Sequence, residues 1–145
     1  MRDSTAKRSA TLFDSGYCCA ESVLKAVADE MNIKSNLIPA IASGFCGGIS
    51  RTRGMCGAVS GAIMAINLKM GRQSPDQSQE ENYLAVQKLV AAFQEEFGSL
   101  SCYDLIECDL ATPEGQEAFE KNNLHKHCTT FVQKATELAL NLINQ

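Results

Sequence analysis

Seven cysteines stand in this chain of 145 residues: Cys18, Cys19, Cys46, Cys56, Cys102, Cys108 and Cys128. As thiolates, cysteines attack disulfides, reduce oxidants or bind soft metals. Four of them, Cys19, Cys56, Cys102 and Cys128, fall at or near the first turn of a predicted helix, on its apolar face. A helix N-terminus carries unpaired N–H groups and partial positive charge, which favour thiolate and lower a thiol pKa. These four are therefore the candidate catalytic residues and, on another reading, the candidate metal ligands. As catalytic thiols they need a low-pKa thiolate and a resolving thiol nearby. As ligands they suffice for zinc or an iron–sulfur cluster. There is no CxxC pair, no thioredoxin-like βαβ pattern and no short-range ligand pairing of a zinc module. A centre would have to be assembled from distant helices, as helical bundles do. The bland alternative is that the cysteines are small buried hydrophobes.

The elements that must position these thiols are organised around residues 44–71. The first half of that stretch is a glycine-rich loop. The second half is a helix with the stripe Cys56, Val59, Ile63, Ile66 and Met70. Gly57 and Gly61, one turn apart, leave a bare side where another backbone can come close. Each costs about 1 kcal/mol of helix stability relative to alanine, so packing or a site must compensate.

Residues 4–13 read as a short helix capped by Asp3 or Ser4. A second spans residues 18–31, its apolar face made by Cys19, Ala20, Val23, Leu24, Val27 and Met31. Neighbours on a helix point about 100° apart, so Cys19 faces the core and Cys18 the polar side. Residues 37–43 suggest a short helix near Pro39. Ser74 as cap and Pro75 at the first position announce a long helix ending at Gly98, with Tyr83, Val86, Val90, Phe93 and Phe97 as its stripe. Ser101 and Thr112-Pro113 open two more. The last helix begins between Asn123 and Cys128 and carries Cys128, Phe131, Ala135, Leu138 and Leu142. The fold class is all-α: one domain, residues 1–145, a bundle of five to seven helices with a glycine-rich loop before the central helix.

The net charge is −4 and no long basic tract is present, which argues against nucleic acid. No signal peptide is evident, and the best apolar segment, residues 58–66, is too short for membrane insertion. The expected compartment is the reducing cytoplasm, where cysteine clusters are more often redox-active or metal-binding than structural disulfides. Arg51 and Arg53 flank the glycine loop and either hold it, lower nearby thiol pKa values or cradle an anion. Neither glycine signature for nucleotides is present. His125 and His127 could supply imidazole to a metal, although histidines near a helix start are more often solvated or capping.

The residues Gly16-Tyr17-Cys18-Cys19-Ala20-Glu21-Ser22-Val23-Leu24, Gly44-Phe45-Cys46-Gly47-Gly48-Ile49, Cys56-Gly57-Ala58-Val59-Ser60-Gly61-Ala62 and Cys102-Tyr103-Asp104-Leu105 with Cys128 resemble the C_GCAxxG_C_C family across nearly the whole chain. The resemblance implies redox activity and four recurrent cysteines, which would be Cys19, Cys56, Cys102 and Cys128. Cys108 competes with Cys102 for the third place. Cys18 and Cys46 depart from the pattern, which often has asparagine at the first position and usually glycine at the second.

Three functions follow as alternatives. The first is cysteine-based redox chemistry, by thiol–disulfide exchange or electron transfer, which includes a thiol-dependent oxidoreductase. The second is a cysteine-ligated iron–sulfur or zinc protein. The third is a structural helical interaction protein. The sequence names no redox partner and leaves a homo-oligomer open.

Overall fold

The computed structural model describes residues 2–145. The elements run α1 (Arg2–Asp14), α2 (Cys19–Glu30), a 3-10 helix (Ala40–Phe45), α3 (Cys46–Arg51), α4 (Gly57–Met70), α5 (Glu80–Phe97), α6 (Cys102–Ile106), α7 (Pro113–Lys121) and α8 (His125–Ile143). The all-α reading holds among the described residues, where strand-like pairing is confined to a bridge between Met55 and Ser101. Among the described residues the helix count is eight rather than five to seven, because part of the glycine stretch winds into a helical turn of its own, α3. The short helix expected over residues 37–43 is the 3-10 helix, displaced towards α3.

α4 sits at the centre, packed on α2, α5 and α8, while α1 lies across α2 and α8. One contiguous apolar core runs through α2, α4, α5 and α8, with Leu24, Val59, Ile66, Leu89, Phe93 and Val132 fully buried. Because α4 is enclosed, its burial is wider than a stripe. Ala58, Ser60, Gly61, Ala62 and Ala65 are buried, whereas the expected stripe members Ile63 and Met70 are only half-buried.

α3 departs from every ordinary helix. Gly47, Gly48, Ile49, Ser50 and Arg51 all have φ between 56° and 68°. It is a left-handed turn, which costs each non-glycine L-residue roughly 1–2 kcal/mol. Local hydrogen bonds offset that cost: the Ser50 hydroxyl donates to the Gly44 carbonyl at 2.8 Å and the Gly54 N–H to the Gly48 carbonyl at 2.8 Å. Gly48 also has no room for a side chain, since a Cβ there would lie 2.6 Å from Cys102 Cβ. The exit of the turn is fastened by the Cys102 N–H donating to Gly54 O at 3.0 Å and the Cys56 N–H to Leu100 O at 2.7 Å.

Three local expectations need correction. Asp3 and Ser4 lie inside α1 rather than capping it. Ser74 and Pro75 form a turn closed by the Gln77 N–H on Ser74 O, and α5 begins only at Glu80. That later start leaves Tyr83 exposed and centres the buried face of α5 on Ala85, Leu89 and Phe93, with Phe97 flanking it. The Gly98 end and the Ser101 and Thr112 caps stand as read, each cap oxygen accepting an N–H from its first turn.

α4 approaches α2 closely at Gly61, where a Cβ would lie 2.6 Å from the Ala20 carbonyl oxygen and 3.0 Å from Ala20 Cα. Backbone cannot yield as a flexible side chain does. Gly61→Leu gains about 1 kcal/mol of helix propensity but overpacks by ~1–3 kcal/mol or more. We expect a lower urea midpoint with an unchanged m-value. An unchanged midpoint would show that α2 and α4 are not in close contact at this point.

Candidate thiol site

The four helix-start cysteines come from four different elements. Cys19 is the first residue of α2, Cys56 caps α4, Cys102 opens α6 and Cys128 lies in the first turn of α8. All four line one cavity of about 140 Å³. Its remaining wall is apolar, with Phe13 from α1, Leu105 and Ile106 from α6, Leu110, Phe119 from α7 and Phe131 from α8. Two glycines make room for the sulfurs. A side chain at Gly57 would collide with Cys19 Sγ, and one at Gly48 would collide with Cys102 Cβ. The cavity therefore depends on the α2–α4 approach and on the left-handed turn.

The helix-start positions predict lowered thiol pKa values, and the site shows the reverse. Burial pushes the Cys19 thiol up, against backbone N–H groups of Gly47, Ala20, Cys19 and Gly57 that favour its thiolate. Burial, then the neighbouring Cys19, raises Cys56 to about 12. Burial, then Cys19 and Cys108, raises Cys102 to about 11. Cys128 rises by burial and by the proximity of Cys19, Cys56, Cys102 and Cys108. The N–H groups are present as expected; desolvation of the charge outweighs them. The result is a nest of neutral thiols.

Cys108 does not line this cavity. It shares a smaller cleft with Cys102, Arg53 and Tyr103. Arg53 holds the loop: its guanidinium donates to Asp109 Oδ2 at 2.8 and 3.3 Å and lies 4.0 Å over the Tyr103 ring. Neither Arg51 nor Arg53 contributes to the shifts of the cavity thiols. His125 is stacked on Phe13 at 4.1 Å with its Nδ1 3.7 Å from Asp14, and His127 is exposed. Neither histidine lines the cavity.

Cys18 and Cys46 form a disulfide, with Cα atoms 5.9 Å apart. This corrects the reading of Cys18 as a solvent-side thiol. Cys18 precedes the helix as its N-cap, so its direction is not set by helical spacing. It is half-buried and lines the cavity beside Cys19.

The protein-family model "Putative redox-active protein (C_GCAxxG_C_C)" matches residues 17–142. The chain belongs to this family. It is also 32% identical over 144 residues to an "Uncharacterized protein" of Archaeoglobus fulgidus, a match covering 92% of this chain and 89% of that one. No solved structure matches it. Cys18 and Cys46, which the sequence resemblance sets apart from the four recurrent cysteines, are the two that pair. No helical spacing signals that bond. Glu21, whose carboxylate lies beside that pair, carried no signal beyond its place in a helix first turn.

Two outcomes follow from the raised thiols. A thiol whose folded pKa exceeds its unfolded value stabilises the fold fully below the unfolded value and loses that contribution as pH climbs through the folded one. Metal-free protein should therefore lose stability from about pH 9, the ordinary value, through about 11 and 12, the values for Cys102 and Cys56. Urea midpoints that rise across this window would refute the burial account. At pH 8, native Cys102 should alkylate about 100-fold more slowly than an ordinary thiol, because two pKa units cut its thiolate fraction by that factor. A rate at or above that of a free thiol would contradict it.

Proposed function

We propose that this chain is a single-domain electron-transfer protein whose redox centre is an iron–sulfur cluster held by Cys19, Cys56, Cys102 and Cys128. The observation that carries the reading is the ring of four neutral thiols around one apolar cavity of about 140 Å³. Among the described residues, no three of these sulfurs lie mutually within 4.8 Å. A zinc ion bonded at about 2.3 Å would need all its sulfurs about 3.8 Å apart. An iron–sulfur cluster takes four cysteine thiolates, and four free cysteines are what this cavity presents. Bound there, the cluster would supply one-electron chemistry.

The protein's own groups have defined parts in this reading. The four thiols give up their protons on ligation, since a metal cation replaces the proton that burial otherwise retains. N–H groups of Gly47, Ala20 and Gly57 directed at Cys19 stabilise charge on its sulfur, a known lever on cluster potential. The apolar wall of Phe13, Phe119 and Phe131 limits water at the centre. The redox partner is another protein or a small carrier, and a cytoplasmic setting accords with five cysteines left as free thiols.

Thiol–disulfide chemistry is the second reading, favoured by the Cys18–Cys46 bridge at the cavity. Purification and reconstitution with iron and sulfide under anaerobic conditions separate the two. We expect stoichiometric iron and acid-labile sulfide with a reducible visible chromophore. Each of C19S, C56S, C102S and C128S should lose most of it, while C108S retains it. Absence of iron after reconstitution, with all four thiols open to alkylation on denaturation, would overturn the cluster and leave thiol exchange.

A further inference from the structure

Outside the set of four lies a second group of metal-ligating atoms. The sulfurs of Cys18 and Cys46 and a carboxylate oxygen of Glu21 all lie within 4.8 Å of one another. We propose that these three residues form a redox-gated site for one thiophilic divalent ion, of the class of zinc: closed while Cys18 and Cys46 are bridged, open when they are reduced.

The donor chemistry is suitable. Zinc accepts sulfur and carboxylate oxygen, and three protein ligands with one water form a complete coordination set. The positions are fixed by local structure. Cys18 is the N-cap of α2 and Glu21 stands three residues on, in the first turn. Cys46 enters from the start of α3, its Cα 5.9 Å from that of Cys18. Two sulfurs about 3.8 Å apart around a zinc ion can be reached from that spacing by side-chain rotation alone.

Glu21 is held in place rather than mobile. Its Oε1 accepts from the Cys18 N–H at 3.0 Å and its Oε2 from the Ser43 hydroxyl at 2.5 Å. Outer contacts of this kind orient a ligating carboxylate. None of the ion pairs among the described residues involves Glu21. Its charge therefore has no cationic partner, and a divalent ion would supply one.

The gate is a balanced reaction. A dithiol reductant gives two electrons and two protons to the Cys18–Cys46 bond, which breaks into two thiols, and the reductant becomes a cyclic disulfide. The ion then forms two metal–sulfur bonds, and two thiol protons leave to solvent. A two-electron oxidant such as a disulfide reverses the sequence and expels the ion. None of Cys19, Cys56, Cys102 or Cys128 takes part, so the proposal stands whatever those four hold.

The test uses the full chain in two states. Alkylation under denaturing conditions should count five thiols before reduction and seven after. With the reductant removed anaerobically, equilibrium dialysis against zinc should then give one more equivalent for reduced than for oxidised protein. C18S and C46S should each lack that equivalent. Both substitutions also break the bridge, so zinc taken up merely by a loosened cavity would survive in them. E21Q, which keeps the bridge and the backbone, should weaken the extra equivalent by at least about 10–100-fold, the scale on which loss of outer-shell contacts alone acts. Equal stoichiometry in the two states would overturn the proposal. So would an extra equivalent that persists in C18S, or wild-type affinity in E21Q.

Discussion

The thiol site depends on one contact, the approach of α4 to α2 at Gly61 and Ala20. Where two helices meet backbone to backbone, their N-terminal ends can also meet. Cys19 Sγ then occupies the space that a side chain at Gly57 would fill. Every other element of the cavity is arranged around that meeting. α3 turns left-handed to pass over it, with Gly48 against Cys102. α6 is pinned to the far side by the bonds between Gly54 and Cys102 and between Cys56 and Leu100. α8 completes the ring with Cys128 and Phe131. A left-handed turn containing isoleucine is costly, and its persistence here follows from being fastened at both ends.

Within the ring, two electrostatic effects oppose each other. Helix N-termini favour negative charge, worth typically 0.3–1 kcal/mol and up to ~2 kcal/mol when partly buried. Burial disfavours charge and shifts fully enclosed groups by up to about 3–5 pKa units. At Cys19 the N–H groups are in place, and burial still prevails. Sequence position reveals the dipole; it does not reveal how much water the tertiary structure removes. For that reason the thiols are neutral where helix starts alone predict thiolates.

The same division separates what was legible in the sequence from what was not. Gly98, Ser101 and Thr112-Pro113 mark their helix ends through local chemistry, and the structure agrees. Ser74-Pro75 carries the same local signal but closes a turn instead, because a cap and a proline permit a helix without compelling one. Periodicity located the helices of α2, α5 and α8 yet missed the breadth of burial on α4, which neighbours enclose on several sides. The left-handed course of α3 was hidden, since Ile49 and Arg51 have no preference for positive φ. The four cavity cysteines were singled out by their helix-start positions; that they surround one cavity is a tertiary fact no spacing encodes. The Cys18–Cys46 bond was misread because a helical wheel was applied to a residue that lies just outside the helix.

A half-buried disulfide beside a free thiol raises the question of why they do not exchange. Exchange requires the attacking sulfur as thiolate, and its rate follows the thiolate fraction. Cys19 stands next to the Cys18–Cys46 bond in sequence and in space, but burial holds its proton. The desolvation that blocks nucleophilic attack does not block capture of a metal. A cation that enters the cavity brings the compensating charge with it, so ligation removes the proton without leaving an unpaired anion in an apolar wall. Neutral thiols in an apolar cavity are thus poor nucleophiles and good latent ligands. On the reading proposed here, that asymmetry keeps the two sulfur systems apart: the inner four serve one-electron transfer, and the outer pair undergoes two-electron closure with Glu21 beside it.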